Sequence, residues 1–199
     1  MNFSGPNYSI LAKEARVSTA QKLYEQTLVV RSQLGDEAAF RELLELYAPR
    51  LFAFVNKMIS SDQADDLMQE IWISVYRGLP GLRDSARFHP WLFRIARDRV
   101  YREYRRRRLA LQSIDETVVE DQSAAEVPED DFDRAQLHQQ LQSLSPEHRE
   151  VLILHYLEEM SYDDIARVTG ANLGTVRSRL HYAKRILKRK WKNHERRTA

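Results

Sequence analysis

Apolar residues between positions 36 and 59 recur at steps of three and four, the spacing that places side chains on one face of a helix. They are Phe40, Leu43, Leu44, Tyr47, Leu51, Phe52, Val55, Met58 and Ile59. Asp36 is suited to cap the first turn. Because Pro49 lies within the pattern and has no N–H to donate, the sequence predicts a bent helix or two helices.

Two more helical patterns follow in the N-terminal half. One starts at the candidate cap Asp62 and ends near Gly78, and the next starts at about Phe88, with Pro90 in its first turn. Their apolar positions are Leu67, Ile71, Val75 and Leu79, and then Trp91, Leu92, Ile95, Ala96, Val100 and Tyr104. One further helix is expected before Asp36, preceded by a loosely ordered extension over residues 1–20.

Helix start and stop signals come in close succession near the C-terminus. Ser145, followed by a proline, predicts an N-cap, and Ser161 with an acid three residues later fits a capping box. Gly170 is expected to end that helix and Asn172 to cap the next. A short helix, a tight turn and a longer helix match a helix-turn-helix. Since no segment alternates as a strand would, the predicted fold class is all-α.

Charge is segregated along the chain, although the formal net charge is only +2. Residues 83–108 carry +7, residues 109–133 carry −9 and residues 177–199 carry +9. The acidic segment has few large apolar residues, so it cannot bury enough surface to offset its ordering entropy. We therefore predict two small helical domains, 21–110 and 133–192, joined by a flexible acidic linker at 111–132 and followed by a basic tail at 193–199.

The predicted second helix of the helix-turn-helix points polar and basic side chains outward. They are Thr175, Arg177, Ser178, Arg179, His181 and Lys184. Arginine suits guanine or phosphate, and a helix N-terminus favours phosphate, so this surface fits duplex DNA. The structural alternative is a helical hairpin with a basic face. Spacing alone leaves open which arginine reads a base.

Aromatic residues alternate with arginines between positions 83 and 108. Phe88, His89, Trp91, Phe93, Tyr101 and Tyr104 lie among Arg94, Arg97, Arg99 and Arg102. Unpaired bases need both stacking surfaces and positive charge, which favours opened DNA over intact duplex. The alternative is that Phe88, Trp91 and Phe93 belong to the core, and we expect this for at least two of them. Tyr101 and Tyr104 are better candidates for partial exposure.

Several kinds of chemistry find no support in the sequence. The chain has no cysteine, its six histidines form no H-E-x-x-H pattern, and its six glycines form no phosphate-binding loop. We expect no metal, no cofactor and no enzymatic activity. The acidic face that carries Asp65, Asp66 and Glu70 is either solvated or docks on a basic partner helix. No apolar run could span a bilayer and no secretory signal is evident, so we expect a cytoplasmic protein without membrane insertion.

Four segments together resemble the hallmarks of one family. They are residues 65–72 (DDLMQEIW), 88–97 (FHPWLFRIAR), 144–151 (LSPEHREV) and 174–180 (GTVRSRL). In their order and spacing, over roughly residues 20–190, the chain is similar to bacterial sigma factors of the extracytoplasmic-function type. Asp98 stands where that family often has asparagine.

The resemblance implies a promoter-specificity subunit of RNA polymerase and assigns a role to each surface. The clamp helices of core RNA polymerase would dock on Asp65, Asp66, Leu67, Gln69 and Glu70. The minus-ten element of promoter DNA would be melted and held by Arg83, Phe88, Trp91, Arg94, Arg97, Asp98, Tyr101 and Arg102. The minus-thirty-five element would be read by Thr175, Arg177, Ser178, Arg179, His181 and Lys184. An anti-sigma factor is a further partner that the family allows.

Two other functions compete with this interpretation. A helix-turn-helix regulator that binds duplex DNA without being a polymerase subunit would explain residues 145–190. It leaves the acidic helix, the aromatic and arginine-rich block and the acidic linker without a role. An enzyme acting on nucleic acid would need a metal-binding carboxylate cluster or a nucleophile, and the sequence offers neither.

Overall fold

The computed structural model describes residues 6–59, 64–113 and 139–198, with side chains described over 19–59, 64–109 and 139–190. Every regular element within these ranges is helical. The α-helices are α1 (Pro6–Gln33), α2 (Glu37–Met58), α3 (Ala64–Gly78), α4 (Phe88–Ser113), α5 (Pro146–Tyr156), α6 (Tyr162–Thr169) and α7 (Leu173–Thr198). Two short 3-10 turns, Leu79–Gly81 and Ser85–Arg87, join α3 to α4. The prediction of an all-α fold is confirmed.

Helix α2 begins at the predicted cap and runs without interruption. The Asp36 carboxylate accepts a hydrogen bond from the Ala39 N–H at 3.1 Å. Pro49 lies inside this single helix, so the alternative of two helices is wrong. A proline removes one hydrogen bond, whereas the helix buries a full stripe of side chains, which outweighs that loss. The stripe consists of Ala39, Leu43, Tyr47, Leu51, Phe54, Val55 and Met58.

The chain outside α2 departs from expectation at two places. Helix α1 starts at Pro6, so residues 6–20 are helical where a loosely ordered extension was expected. That stretch is rich in good helix formers and contains no glycine, so a helix packed further along can continue through it. Helix α4 extends to Ser113, into the start of the predicted linker. The rest of the linker and the candidate cap Asp62 lie outside the described residues.

The N-terminal unit is built by α1 to α4. Helix α2 packs against α1, α3 and α4, and α3 packs against α4. Leu43, Phe54 and Phe93 are completely buried, and the rings of Phe54 and Phe93 meet edge to face with centroids 5.4 Å apart. This core holds α3 and α4 side by side, so the exposed faces of both helices belong to one rigid support.

The C-terminal unit, α5 to α7, shows the caps that the sequence predicts. The Ser145 hydroxyl accepts from the His148 N–H at 3.4 Å, and the Ser161 hydroxyl accepts from the Asp164 N–H at 3.1 Å. Gly170 ends α6 in the left-handed conformation, with φ of 68°. The Asn172 side chain caps α7 by accepting from the Thr175 N–H at 2.7 Å. Helices α6 and α7 are therefore a helix-turn-helix.

The two units pack against each other, which local sequence patterns did not predict. Helix α6 lies on α4, and α5 lies on α2. Arg149 of α5 is only 5% exposed and reaches the C-terminal end of α2. Its guanidinium donates to the carbonyl oxygens of Met58 at 2.6 Å and Lys57 at 3.3 Å. These carbonyls lack helical partners, so a buried cation satisfies them and stabilises the contact.

Candidate nucleic-acid interface

Helix α7 presents the predicted duplex-binding residues with different degrees of exposure. Arg177, Ser178, His181 and Lys184 are exposed, as their spacing predicts. Thr175 and Arg179 are half-buried. The Thr175 hydroxyl donates to the Asn172 side-chain oxygen at 2.9 Å. Burial of Val176, Leu180 and Ala183 fixes the helix on its unit. The outward face is therefore rigidly oriented and cationic, as major-groove binding requires.

Helix α4 exposes a second charged face. Arg94, Asp98 and Arg102 are exposed and spaced four residues apart, so they form one stripe along the helix. Arg83 is exposed in the loop that precedes α4. Asp98 contacts Arg97 at 3.5 Å, and the net charge of the stripe remains positive. The structure thus brings three of the predicted minus-ten residues, Arg94, Asp98 and Arg102, to one face of α4.

The aromatic residues at the start of α4 are mainly core residues. Phe88 is 2% exposed and Phe93 is completely buried, which confirms that at least two of the three aromatic residues belong to the core. The Phe88 ring packs against Tyr47, with centroids 5.2 Å apart, so neither of its faces is open to a base. Trp91 is half-buried and rests against Gly78, where a Cβ would approach the indole to 3.0 Å. Trp91 is therefore the one of the three aromatic residues that keeps part of its surface exposed.

Arg97 and Tyr101, one turn apart on α4, contact the C-terminal unit. Glu150 of α5 is completely buried between them, with its Oε1 atom 2.7 Å from Arg97 Nε in an ion pair that is not aligned as a hydrogen bond. Tyr101 donates from its hydroxyl to the other carboxylate oxygen at 3.0 Å. The guanidinium of Arg97 lies 4.4 Å from the centre of the Tyr101 ring.

These contacts shift the pKa values of both acids. Burial raises the pKa of Glu150 to about 7, although Arg97, Tyr101 and Arg179 act in the opposite direction. Burial and the nearby Glu150 carboxylate raise the pKa of Tyr101 as well, so its hydroxyl remains a donor. Glu150 is thus influenced by cations from both predicted DNA-binding helices, α4 and α7.

A second buried carboxylate joins the units. Sequence reasoning missed Arg50 and Glu158 and named His89 only among the aromatic residues of the 83–108 block. Glu158, 4% exposed, follows α5 and accepts from Arg50 Nε of α2 at 3.0 Å, while Arg50 Nη2 lies 2.9 Å away. The His89 ring nitrogen Nε2 lies 3.3 Å from the same oxygen. Arg50 and Glu158 are 108 residues apart in the chain, so no local pattern could have paired them.

Helix α3 carries the predicted docking face. Asp65, Asp66, Gln69 and Glu70 are exposed, whereas Leu67 is 8% exposed and its side chain belongs to the core. Glu70 forms an ion pair with Arg99 of α4 at 3.2 Å.

The exposed face continues with apolar residues. Ile73 is 50% exposed and Tyr76 is 59% exposed, one and two turns beyond Gln69. Sequence reasoning did not single them out, although Ile73 follows Glu70 by three residues and Tyr76 follows Ile73 by three, a spacing that could have done so. The surface is therefore acidic at one end and apolar at the other.

The described ranges contain neither a cluster of metal ligands nor a helix that could span a membrane. No three histidine, cysteine, aspartate or glutamate side chains lie close enough there to hold a metal ion. No helix in the same part of the chain combines the length and the apolar character needed to cross a membrane.

The fold and these surfaces define a helical DNA-binding protein with a C-terminal helix-turn-helix. The family model described as Sigma-70 region 2 matches residues 43–110, and that described as Sigma-70, region 4 matches residues 134–187. The ECF RNA polymerase sigma-E factor of Escherichia coli strain K12 is 30% identical over 183 residues, which cover 86% of this chain and 96% of that protein. The protein of the same name from Haemophilus influenzae is 29% identical over 186 residues, covering 86% and 97%. The chain belongs to the ECF sigma factors of RNA polymerase.

Two solved structures of other proteins are similar to this chain in fold. The sigma factor RpoE from Bartonella quintana, determined in complex with the anti-sigma factor NepR, is 28% identical with a TM-score of 0.69. The similarity covers 77% of this chain and 96% of that one. CnrH, determined with the cytosolic domain of CnrY, shares the fold at 23% identity and a TM-score of 0.66, over 85% and 98% of the two chains.

Proposed function

We propose that this chain binds core RNA polymerase, directs it to specific promoters and helps to melt the minus-ten element at initiation. The observation that supports this most directly is that one chain contains both a region 2 and a region 4 unit, each with an exposed charged helix face. A helix-turn-helix regulator would need only the second unit. We assign the first unit to residues 21–110 and the second to residues 133–192.

Core polymerase docks on α3 in this proposal. The exposed acids Asp65, Asp66 and Glu70, with Gln69, complement a basic partner, and the clamp helices of the polymerase are that partner in the family. The apolar end of the face, at Ile73 and Tyr76, would add desolvated contacts, which usually carry more binding energy than rim charges. Leu67 would support the surface from beneath.

Melting of the minus-ten element is driven by binding energy. Unstacking and extruding a base costs a few kcal/mol, and each base stacked on an aromatic ring recovers about 1 to 3 kcal/mol. Trp91 and Tyr101, the two predicted minus-ten rings that are half-buried on α4, would stack the bases, and Arg83, Arg94, Arg97 and Arg102 would supply cations for the strand backbone. Phe88 would act by holding the start of α4 in place, and Asp98 would limit the choice of base or strand position by repelling phosphate.

Recognition of the minus-thirty-five element belongs to α7. Arg177, Ser178, His181 and Lys184 reach outward, and Arg179 and Thr175 lie nearer the helix base. An arginine that contacts guanine with two hydrogen bonds contributes about 1 to 3 kcal/mol of discrimination. The exposed position of Arg177 makes it our choice for a base contact.

We further propose that an anti-sigma factor controls the chain in the cytoplasm. The support is the similarity to RpoE from Bartonella quintana, which was determined together with an anti-sigma factor. The chain itself would contribute recognition and strand opening, while bond formation would belong to the polymerase.

The test is reconstitution. The purified chain is mixed with core polymerase, and transcripts made from sheared genomic DNA of the source organism are mapped at their 5′ ends. We expect a stable complex on gel filtration and start sites that share two spaced sequence elements. A chain that binds duplex DNA but never confers initiation on core polymerase would instead be a regulator.

A further inference from the structure

Helix α7 continues beyond the part that packs on its own unit. Among its described side chains, Ile186 and Leu187 are the last that pack against the core. The helix then runs through residues 188–198, about 16 Å along its axis. That stretch contains six lysine and arginine residues and one acid. The helix assigned to duplex DNA therefore ends in a cationic extension.

Two exposed stripes on α7 run from the predicted recognition residues into this extension. The first has steps of four, three and four residues and consists of Arg177, His181, Lys184 and Lys188. The second has steps of seven and four residues and consists of Ser178, Arg185 and Arg189. Residues at these spacings share one face of a helix. The face predicted for the minus-thirty-five element therefore does not end at Lys184.

The added cations Arg185, Lys188 and Arg189 have no acidic partner in the part of the chain that the structure describes. The guanidinium of Arg185 lies 5.3 Å from the centre of the Tyr182 ring, which leaves its charge in place. Arg185 and Arg189 are four residues apart, and like charges at this spacing weaken a helix by repulsion. The helix therefore carries a concentration of positive charge that nothing within its own unit neutralises over the described side chains.

The helix dipole does not account for these cations. Positive side chains stabilise the last turn of a helix, where the carbonyl groups lack partners, and the effect falls off beyond that turn. Helix α7 ends at Thr198, so Lys188 and Arg189 lie more than two turns before its end. A negatively charged partner accounts for them better.

The length of α7 indicates where such a partner lies. The helix has 26 residues and is about 39 Å long. The major groove is about 12 Å wide and winds once around the duplex in about 34–36 Å. A straight helix whose N-terminal half lies in the groove leaves the groove before its C-terminal end. In leaving, it passes one of the two phosphate strands that border the groove.

Building on the function proposed above, we propose that Arg185, Lys188 and Arg189 bind backbone phosphates of the duplex that flanks the minus-thirty-five element. The contact adds affinity without reading sequence, since every base pair carries the same phosphates. These three residues lie outside every DNA-binding set that the sequence predicted. Residues 188–198 span about five base pairs at about 3.4 Å each, so full affinity requires about that much duplex beyond the element on one side.

The test compares two variants of the full chain, each bound to core polymerase. The test variant is Lys188→Gln with Arg189→Gln. The control, Lys22→Gln with Arg41→Gln, removes two exposed cations from α1 and α2. Promoter affinity is measured by anisotropy over a range of salt concentrations.

We expect the test variant to reduce the slope of log affinity against log salt by about 1.8, because each phosphate contact on a duplex contributes about 0.9. The control should keep the wild-type slope. Circular dichroism and the thermal midpoint check that both variants fold. A wild-type slope in the test variant would overturn the proposal.

Sequence independence and the position of the contact are tested on altered promoters. On a promoter with a scrambled minus-thirty-five element, the test variant should weaken binding by the same factor as on the intact promoter, whereas Arg177→Ala should lose its effect there. Weakening confined to the intact element would mean that these side chains read bases, which contradicts the proposal. Five added base pairs on one side of the element should tighten binding by the wild type and not by the test variant. An equal gain in both would also contradict it.

Binding to core polymerase distinguishes DNA from an acidic protein partner. The test variant should bind core polymerase within about twofold of the wild type, and a larger loss would assign the cations to the polymerase and overturn the proposal. Failure of the wild-type chain to initiate with core polymerase would contradict the proposed function. The salt slope, measured with the chain alone on the same duplex, would still decide whether these cations contact phosphate.

Discussion

Arg149 is a buried cation that has no carboxylate partner among the described residues. Its guanidinium donates to five carbonyl oxygens, those of Met58, Lys57, Leu141, Gln142 and Leu144, at distances between 2.6 and 3.3 Å. Five donors are all that an arginine has, so the side chain is fully satisfied. The carbonyl groups come from both units, and one side chain therefore holds the end of α2 against the start of the C-terminal unit.

Arg149→Ala should consequently destabilise the protein by about 3 kcal/mol, because several buried carbonyl groups lose a charged donor at once. Urea unfolding measures this loss. The matched control is Arg41→Ala, which removes an exposed arginine from α2 and should cost no more than about 0.5 kcal/mol. Equal effects of the two substitutions would show that the Arg149 hydrogen bonds do not stabilise the contact between the units.

Glu150 makes stability depend on pH with a definite sign. Its pKa of about 7 in the folded chain exceeds the ordinary 4.5, because burial disfavours the charged form. Its stabilising contribution is therefore complete below about pH 4.5 and is lost as the pH rises through 7. The difference between the ordinary pKa of 4.5 and the pKa of about 7 in the folded chain corresponds to about 3 kcal/mol in the free energy of unfolding.

Unfolding by urea at pH 5, 6, 7 and 8 tests this dependence. The wild type should lose stability relative to Glu150→Gln as the pH rises, because glutamine cannot ionise. Glu147→Gln, one turn away on α5, should leave the wild-type dependence in place. Parallel curves for wild type and Glu150→Gln would show that Glu150 does not titrate in this range.

Among the helices, the exposed faces of α3 and α7 predict separate functions, with core polymerase bound by α3 and promoter DNA bound by α7. Gln69→Lys with Glu70→Lys should weaken binding to core polymerase at least tenfold, because like charges then meet across the interface. A labelled core-binding assay measures this. Gln21→Lys with Glu45→Lys makes the same changes at exposed positions on α1 and α2 and should have little effect.

The complementary change is on α7. Arg177→Ala with Arg179→Ala should leave core binding within about twofold and reduce the affinity of the holoenzyme for its promoter by ten- to a hundredfold, the worth of one or two base or phosphate contacts. Promoter binding is measured by filter retention or anisotropy. Loss of core binding in this variant would contradict the assignment of α7 to DNA.

Helix N-caps were the part of the fold that the sequence predicted best. The caps at Asp36, Ser145, Ser161 and Asn172 are all formed, because a cap depends on residues within three positions of one another. The extension before residue 21 was misjudged because it lacks an apolar stripe. Its composition favours a helix, and α1 continues through it from Pro6.

The exposure of the predicted site residues was correct where it came from helical periodicity and wrong for some residues where it came from the motif. Leu67 and Phe88 were placed on functional surfaces by resemblance, whereas the apolar periodicity placed Leu67 in a core stripe, and the structure buries both. Exposed residues such as Arg94, Arg102 and Arg177 follow directly from periodicity. For a single side chain, helical position was the better guide to exposure than the motif that contains it.

At the scale of the whole molecule, the contacts between the units could not be predicted from local patterns. Arg50 pairs with Glu158 across 108 residues, and Tyr101 with Glu150 across 49. Neither the capping signals nor the hydrophobic period carries information over such separations. Charge segregation along the chain did suggest that acidic and basic parts alternate, but not that buried acids of one unit would meet cations of the other.

Opening of promoter DNA by the holoenzyme is the decisive measurement of the proposed function. On a promoter identified by start-site mapping, permanganate reacts with thymines that are unstacked. We expect reactive thymines in the minus-ten element only when both this chain and core polymerase are present. A bound holoenzyme that leaves these thymines unreactive, or equal reactivity with core polymerase alone, would contradict it.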